Sequence, residues 1–214
     1  MSRDSASSIA ERLRAVQVIP VLRLTSAALA ERAIECLVEA GFGTVELTLT
    51  TPDAVGLIRR LRERMTPGFL VGAGTVLDPD TARACIDAGA DYLVSPCLVP
   101  GMAALAHAAG RACLMGGFTP AEVLAAWRDG SDIVKVFPAA TGGPSHLAAL
   151  HAVFPEIPLC PTGGVALDNI DAYRRAGAVV VGVGNNIVDL SALDAGDTAQ
   201  VVAHALRFLG KHQA

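Results

Sequence analysis

Only two lysines, Lys135 and Lys211, stand among the 17 lysines and arginines of the chain. Lys135 is the centre of Ile-Val-Lys-Val-Phe (133–137), a β-branched and aromatic run that reads as a fully buried strand. Lys211 lies at the C-terminal end and is expected to be solvated. Burying an ammonium is costly unless it is paired or neutral. The plainer reading is that Lys135 snorkels to the strand end or joins a structural ion pair. The chemical reading is an amine nucleophile: burial disfavours the protonated form of an amine, and the neutral form attacks carbonyls. The protonated imine so formed is an electron sink that stabilises a carbanion or enamine at the neighbouring carbon. That chemistry needs a carboxylate to move protons.

Glu46 supplies one. It interrupts the run TVELTLT (44–50), where alternation puts Glu46, Thr48 and Thr50 on one side and Val45, Leu47 and Leu49 on the other. Arg23 ends IPVLR (19–23), and its planar guanidinium suits bidentate binding of a carboxylate. A solvated arginine at a strand end is the plainer alternative. Thr75 and Thr162 close two further strand-like runs. Two glycine-rich stretches follow late in the chain: PTGGV (161–165), with Gly163 and Gly164, and GVGNN (182–186), with Gly184 and Asn185. Glycine lets backbone N–H groups close on an anion, and a helix N-terminus behind them would add its dipole.

These residues must be positioned by the elements around them. Eight Val/Ile/Leu-rich runs read as strands, at 18–24, 44–50, 69–76, 91–96, 112–117, 132–138, 157–165 and 178–184. Between them lie Ala- and Arg-rich stretches of helical period, such as 26–41 and 79–90. Thr51-Pro52, Asp78-Pro79 and Thr119-Pro120 each place a capping residue before a proline, and Gly41, Gly89, Gly110, Gly130 and Gly177 stand where helices should stop. Near-continuous apolar strands alternating with helices predict a parallel sheet covered by helices. Eight such units predict a (β/α)8 TIM barrel with an additional N-terminal helix, compact beside the roughly 250 residues typical of that fold. An open doubly wound sheet is the alternative. No linker breaks the pattern, so residues 1–214 are expected to form a single barrel domain. In such barrels the strand C-termini carry the active site, and the loops after the last two strands often hold a phosphate.

Composition narrows the function. The chain is 52% hydrophobic and 4% aromatic with a formal net charge of −4, and no basic block alternates with aromatics, which argues against a nucleic-acid surface. No apolar run reaches membrane-spanning length, and the first residues lack the apolar region of a signal peptide, so a cytoplasmic protein is expected. The five cysteines form no C-x-x-C pair and read as buried free thiols. The five histidines read as helical or tail residues, which leaves no compact metal-ligand set and ranks a metal-dependent mechanism last.

With these residues in place, the chain resembles the class I 2-keto-3-deoxy-6-phosphogluconate (KDPG) aldolases, a family that also includes 4-hydroxy-2-oxoglutarate aldolases. VELTLTTPDA, VGAGTVLDP, DAGADYLVSP, VKVFPA, CPTGGV and AVVVGVG carry the resemblance, which spans about residues 15 to 210. It implies a homotrimeric barrel that cleaves its substrate to pyruvate and glyceraldehyde 3-phosphate with neither metal nor cofactor. Lys135 then corresponds to the Schiff-base lysine and Glu46 to the general acid/base. Thr75 and Thr162 correspond to pocket hydroxyls, Pro96 and Phe137 to apolar walls, and Gly163 and Gly164 to part of the phosphate cradle. Some members carry an Arg four residues after the Glu, where this chain has Thr50; Arg23 fits the other pattern, with the arginine on the first strand. The second glycine loop often has a Ser where this chain has Asn185, whose amide can also donate to phosphate. Activity on the galactonate epimer or on 4-hydroxy-2-oxoglutarate stays open. So does a non-catalytic barrel that binds sugar phosphates, in which Lys135 merely pairs with Glu46.

Overall fold

The computed structural model describes residues 3–210; Lys211 and His212 lie outside the described residues. Helix α1 (Arg3–Ala15) comes first, followed by β1 (Val18–Leu22), α2 (Ala27–Glu39), β2 (Thr44–Thr48), α3 (Ala54–Arg64), β3 (Leu70–Gly74) and α4 (Pro79–Asp87). The chain continues with β4 (Tyr92–Val94), α5 (Met102–Ala108), β5 (Ala112–Leu114), β6 (Gly116–Gly117), α6 (Pro120–Arg128) and β7 (Val134–Val136). It ends with α7 (Ala139–Val153), β8 (Leu159–Pro161), α8 (Ile170–Arg175), β9 (Val181–Val183), α9 (Leu190–Ala195) and α10 (Thr198–Leu206).

The pairing is parallel throughout. One sheet has the order β5-β4-β3-β2-β1-β9 and a smaller one the order β6-β7-β8. Isolated bridges Leu159–Ala178 and Thr162–Gly182 link the smaller sheet toward β9. The result is an α/β fold with a curled parallel sheet. Neighbours in the sheets are neighbours in sequence except β1 and β9, the first and last strands, which pair with each other; a doubly wound fold instead reverses its strand order mid-sheet, so that alternative falls.

Curling separates two cores, and strand alternation decides which residue enters which. Val45, Leu47, Val71, Ala73, Val134 and Val136 face the helices and join the larger core. Ile19, Leu70, Tyr92, Leu114 and Cys160 face inward and pack with Ile9, Ala10 and Leu13 of α1. Helix α1 thus closes the N-terminal end of the curled sheet. Burying a leucine as completely as Leu13 contributes about 2 kcal/mol.

The helix signals are realised with one exception. Asp78 and Thr119 cap α4 and α6, the latter through a reciprocal capping box with Glu122. The five stop glycines all have positive φ, the conformation that glycine adopts without strain. Thr51, however, does not cap α3: the helix starts two residues after Pro52, with Asp53 at its N-cap, and the buried Thr51 hydroxyl accepts the Leu24 N–H at 3.1 Å. The fifth strand also departs from expectation. It breaks at Met115, whose N–H donates to the Ser131 hydroxyl at 2.8 Å, so that β5 pairs with β4 while β6 pairs with β7. Four cysteines are buried, but Cys97 is exposed.

Candidate active site

Strands β2 and β7 carry the two charges of the interior. Glu46 pairs in register with Val21 on one side and Gly72 on the other, which points its side chain inward with Thr44 and Thr48. Lys135 lies opposite Gly116 and Cys160. Both are almost fully buried, at 3% exposure for Glu46 and 5% for Lys135. The Lys135 Nζ stands 3.7 Å from Glu46 Oε1, an ion pair too long for a hydrogen bond. Oε1 makes no hydrogen bond among the described residues. A buried carboxylate oxygen in that condition is costly in a purely structural role and ordinary in one that handles protons. Burial pushes the Glu46 carboxyl above its ordinary range, while the Lys135 ammonium and, more weakly, Arg23 pull it back.

Eleven residues were expected to form the site: Arg23, Glu46, Thr75, Pro96, Lys135, Phe137, Thr162, Gly163, Gly164, Gly184 and Asn185. The fold brings all of them to one cavity of about 420 Å³ at the C-terminal ends of the strands. Val21, Thr48 and Asn186 complete its lining. Thr48 is where alternation put it, on the side of Glu46, and Val21 could have been found by extending alternation back from Arg23. Thr50 lies past the end of β2 at Thr48 and lines a separate surface groove, although its hydroxyl shares a 2.9 Å hydrogen bond with that of Thr48.

The walls divide by chemistry. The Phe137 ring lies with its centroid 5.4 Å from Lys135 Nζ, within cation–π range. Thr75 has φ +63°, a left-handed conformation that is strained for a β-branched residue. The Cys160 thiol beside Lys135 is pushed up to about 11 by burial and stays protonated at neutral pH, so it does not compete as a nucleophile. Arg23 is exposed at the mouth, and its guanidinium forms no ion pair among the described residues.

The glycine loops differ from expectation in what lies behind them. Gly163 and Gly164 take φ of +87° and +86°, and a Cβ on Gly164 would stand 2.4 Å from that of Ala140. No α-helix opens directly from either loop. After Gly164, Asn169 folds the chain into a side-chain-held turn, accepting the Ala166 N–H and donating to the Gly164 carbonyl, both at 2.9 Å. After Gly184 the chain enters a short 3-10 helix, Asn185–Ile187. The helix that meets the first loop comes from earlier in the chain: at the start of α7 the Ala139 and Ala140 N–H groups donate to the Thr162 and Gly163 carbonyls at 2.8 and 2.9 Å. The Asn185 amide faces the main chain of Arg23: its Oδ1 accepts the Arg23 N–H at 2.9 Å and its Nδ2 donates to the Arg23 carbonyl at 2.5 Å. Among the described residues, no group of three or more His, Cys, Asp or Glu side chains is placed to hold a metal ion.

Comparison with known proteins follows the same lines. The family model described as KDPG and KHG aldolase matches residues 9–204. The 2-dehydro-3-deoxy-phosphogluconate aldolase of Pseudomonas aeruginosa is 35% identical over 88% of this chain and 86% of its own. A probable 2-dehydro-3-deoxy-6-phosphogalactonate aldolase of Rhizobium meliloti is 34% identical over 86% of each. Among solved structures, the Legionella pneumophila KDPG aldolase, with pyruvate captured as a covalent carbinolamine, superposes with a TM-score of 0.83 at 29% identity. That match covers 92% of this chain and 96% of the other. The chain belongs to the KDPG and KHG aldolase family.

Proposed function

We propose that the protein is a class I aldolase, a carbon–carbon lyase that cleaves 2-dehydro-3-deoxy-6-phosphogluconate to pyruvate and glyceraldehyde 3-phosphate. The observation that carries this reading is the buried Lys135–Glu46 pair, 3.7 Å apart, at the base of a cavity with a guanidinium and glycine loops at its mouth. Lys135 Nζ attacks the C2 ketone to give a carbinolamine, and loss of water gives the protonated imine. The C4 hydroxyl then surrenders its proton, the C3–C4 bond breaks, and its electron pair passes into the imine to leave an enamine. Glyceraldehyde 3-phosphate departs as the aldehyde. Protonation of the enamine at C3 and hydrolysis of the imine release pyruvate and regenerate the amine. Glu46 takes and returns these protons, a role supported by its 3.7 Å approach to Lys135 and by burial, which shifts its carboxyl upward.

The remaining residues bind. Arg23 receives the substrate carboxylate, Thr75 and Thr162 give hydroxyls to the reacting end, and Pro96 and Phe137 wall it off from water. The loops of Gly163, Gly164, Gly184 and Asn185 receive the phosphate. A second reading, cleavage of the galactonate epimer, is favoured by the Rhizobium meliloti relative; 4-hydroxy-2-oxoglutarate is the further alternative substrate. Three structural proposals accompany the activity. The chain is one domain, the two sheets complete an eight-stranded barrel through the continuous run 112–117 and the bridges to β9, and the protein works as a cytoplasmic homotrimer.

Incubation with pyruvate and borohydride tests the reaction. One reduced pyruvate should be added, mapping to the peptide with Lys135, and Lys135→Arg should abolish it because a guanidinium is not deprotonated in a protein. Labelling elsewhere, or none, overturns the proposal.

A further inference from the structure

The β1–β9 ladder ends at Pro20: its registered pairs are Val18–Val181, Ile19–Gly182 and Pro20–Val183, and pairing with β2 carries the first strand only as far as Leu22–Leu47. Its exposed end is Arg23, which with Lys135 supplies the basic side chains that line the cavity among the described residues. What holds that end is side chain, not sheet. On one side the Thr51 hydroxyl takes the Leu24 N–H at 3.1 Å. On the other the Asn185 carboxamide takes both main-chain groups of Arg23 at once, the N–H at 2.9 Å and the carbonyl at 2.5 Å. A carboxamide has the donor and acceptor of a peptide group side by side, so it can stand in for one more rung of the ladder. A serine there has one oxygen on a shorter arm and cannot bridge both groups. Asn186 is also engaged, donating to the Val165 carbonyl at 3.1 Å. The side chains of this loop are therefore committed to scaffolding, leaving mainly its backbone to meet a ligand.

We infer that Asn185 is a positioning residue for Arg23: its carboxamide fixes the main chain from which the guanidinium reaches the substrate carboxylate, and it is not the side chain that selects for phosphate. The inference rests on the aldolase reading, since it presupposes a carboxylate bound by Arg23. It predicts that loss of Asn185 weakens every 2-keto acid, phosphorylated or not, and that the loss runs through Arg23.

The test uses full-length wild type, Asn185→Ser, Asn185→Ala, Arg23→Ala and the Arg23→Ala/Asn185→Ser double variant. Each is measured with the phosphorylated 2-dehydro-3-deoxy acid, with the unphosphorylated acid, and by borohydride trapping with pyruvate. Asn185→Ser is the discriminating change, because its hydroxyl can still donate to a phosphate but cannot span Arg23. Positioning predicts that Asn185→Ser and Asn185→Ala both raise KM for the two substrates, and the half-saturating pyruvate concentration, by about tenfold. That is the size of one to two net hydrogen bonds, and kcat should change less. In the Arg23→Ala background the second change should add less than about twofold, as coupled neighbours do. A penalty confined to the phosphorylated substrate would overturn the inference, as would an equal penalty with Arg23 already removed. A fall in melting temperature with ordinary KM values would reduce Asn185 to a structural residue and overturn it too. Wild-type protein that fails to trap pyruvate at Lys135 would overturn the aldolase reading and this inference together, whereas trapping with a phosphate-only penalty overturns the inference alone.

Discussion

Gly74 lies so close to Glu46 that a Cβ placed on it would stand 2.1 Å from the carboxylate Oε1. The next nearest atoms are also in the Glu46 side chain, the carboxyl carbon at 2.7 Å and Cγ at 2.8 Å. The glycine on β3 is therefore part of how the carboxylate on β2 comes to face Lys135.

Gly74→Ala should fold, because a movable side chain and not backbone meets the new methyl, but it should push Glu46 out of its place. The expected result is a kcat lowered toward that of Glu46→Gln, within the roughly 10²–10⁴-fold range of a positioned acid/base group, with a small change in melting temperature. Steady-state kinetics beside thermal melting checks this. A folded Gly74→Ala enzyme with wild-type kcat would mean that the position of Glu46 does not matter.

The buried carboxyl also makes a prediction about stability and pH. Glu46 is raised by burial and pulled back chiefly by Lys135. Lys135→Met removes that counterweight, so Glu46 should keep its proton in the folded state to higher pH. Below about 4.3, the ordinary glutamate value, folded and unfolded chains both hold the proton and the site costs nothing. As pH rises above that value the unfolded chain ionises first, and stability is lost until the folded pKa is passed. Melting curves of Lys135→Met and Lys135→Met/Glu46→Gln across pH 4 to 8 should therefore diverge, the single variant falling relative to the double. Parallel curves would contradict the effect of burial on Glu46.

Thr75 offers a test of backbone strain at the cavity. At φ +63° a residue with a Cβ is held where glycine would be relaxed, at a cost of about 1–2 kcal/mol. Thr75→Ala and Thr75→Gly both remove the hydroxyl, but only the second relieves the backbone. Urea denaturation should find Thr75→Gly more stable than Thr75→Ala by about 1 kcal/mol, reversing the usual order of these two residues. The usual order would show that the conformation carries no strain worth relieving.

The chemistry-bearing residues were legible where strand alternation governs them. In TVELTLT the two-residue period alone put Glu46 and Thr48 inside and Val45 and Leu47 against the helices. That period could not locate the strand's end, and Thr50, counted as inward, lies past it: its hydroxyl reaches that of Thr48 but it does not line the cavity. Glycines at helix ends were readable because positive φ is a local demand. Thr51 and Asn185 were not, since their partners, Leu24 and Arg23, lie 27 and 162 residues away along the chain. A threonine before a proline looks like a helix cap, and an asparagine after a glycine looks like an anion donor, until folding brings a remote main chain within reach. The break at Met115 was hidden for the same reason: the hydroxyl that takes its N–H belongs to Ser131.

Helix α1 has a consequence for traffic through the site. Ile9, Ala10 and Leu13 pack with Ile19, Leu70, Tyr92 and Cys160, so among the described residues the N-terminal end of the interior is filled and the cavity opens at the C-terminal end of the strands. Lys135 is buried and Gly164 is exposed, so a molecule tethered to Lys135 sits deeper than whatever rests on the glycine loops. In an aldol cleavage performed there the free fragment stands between the tethered one and solvent. Departure is then queued by architecture, last in and first out, with the untethered fragment leaving before hydrolysis frees the other.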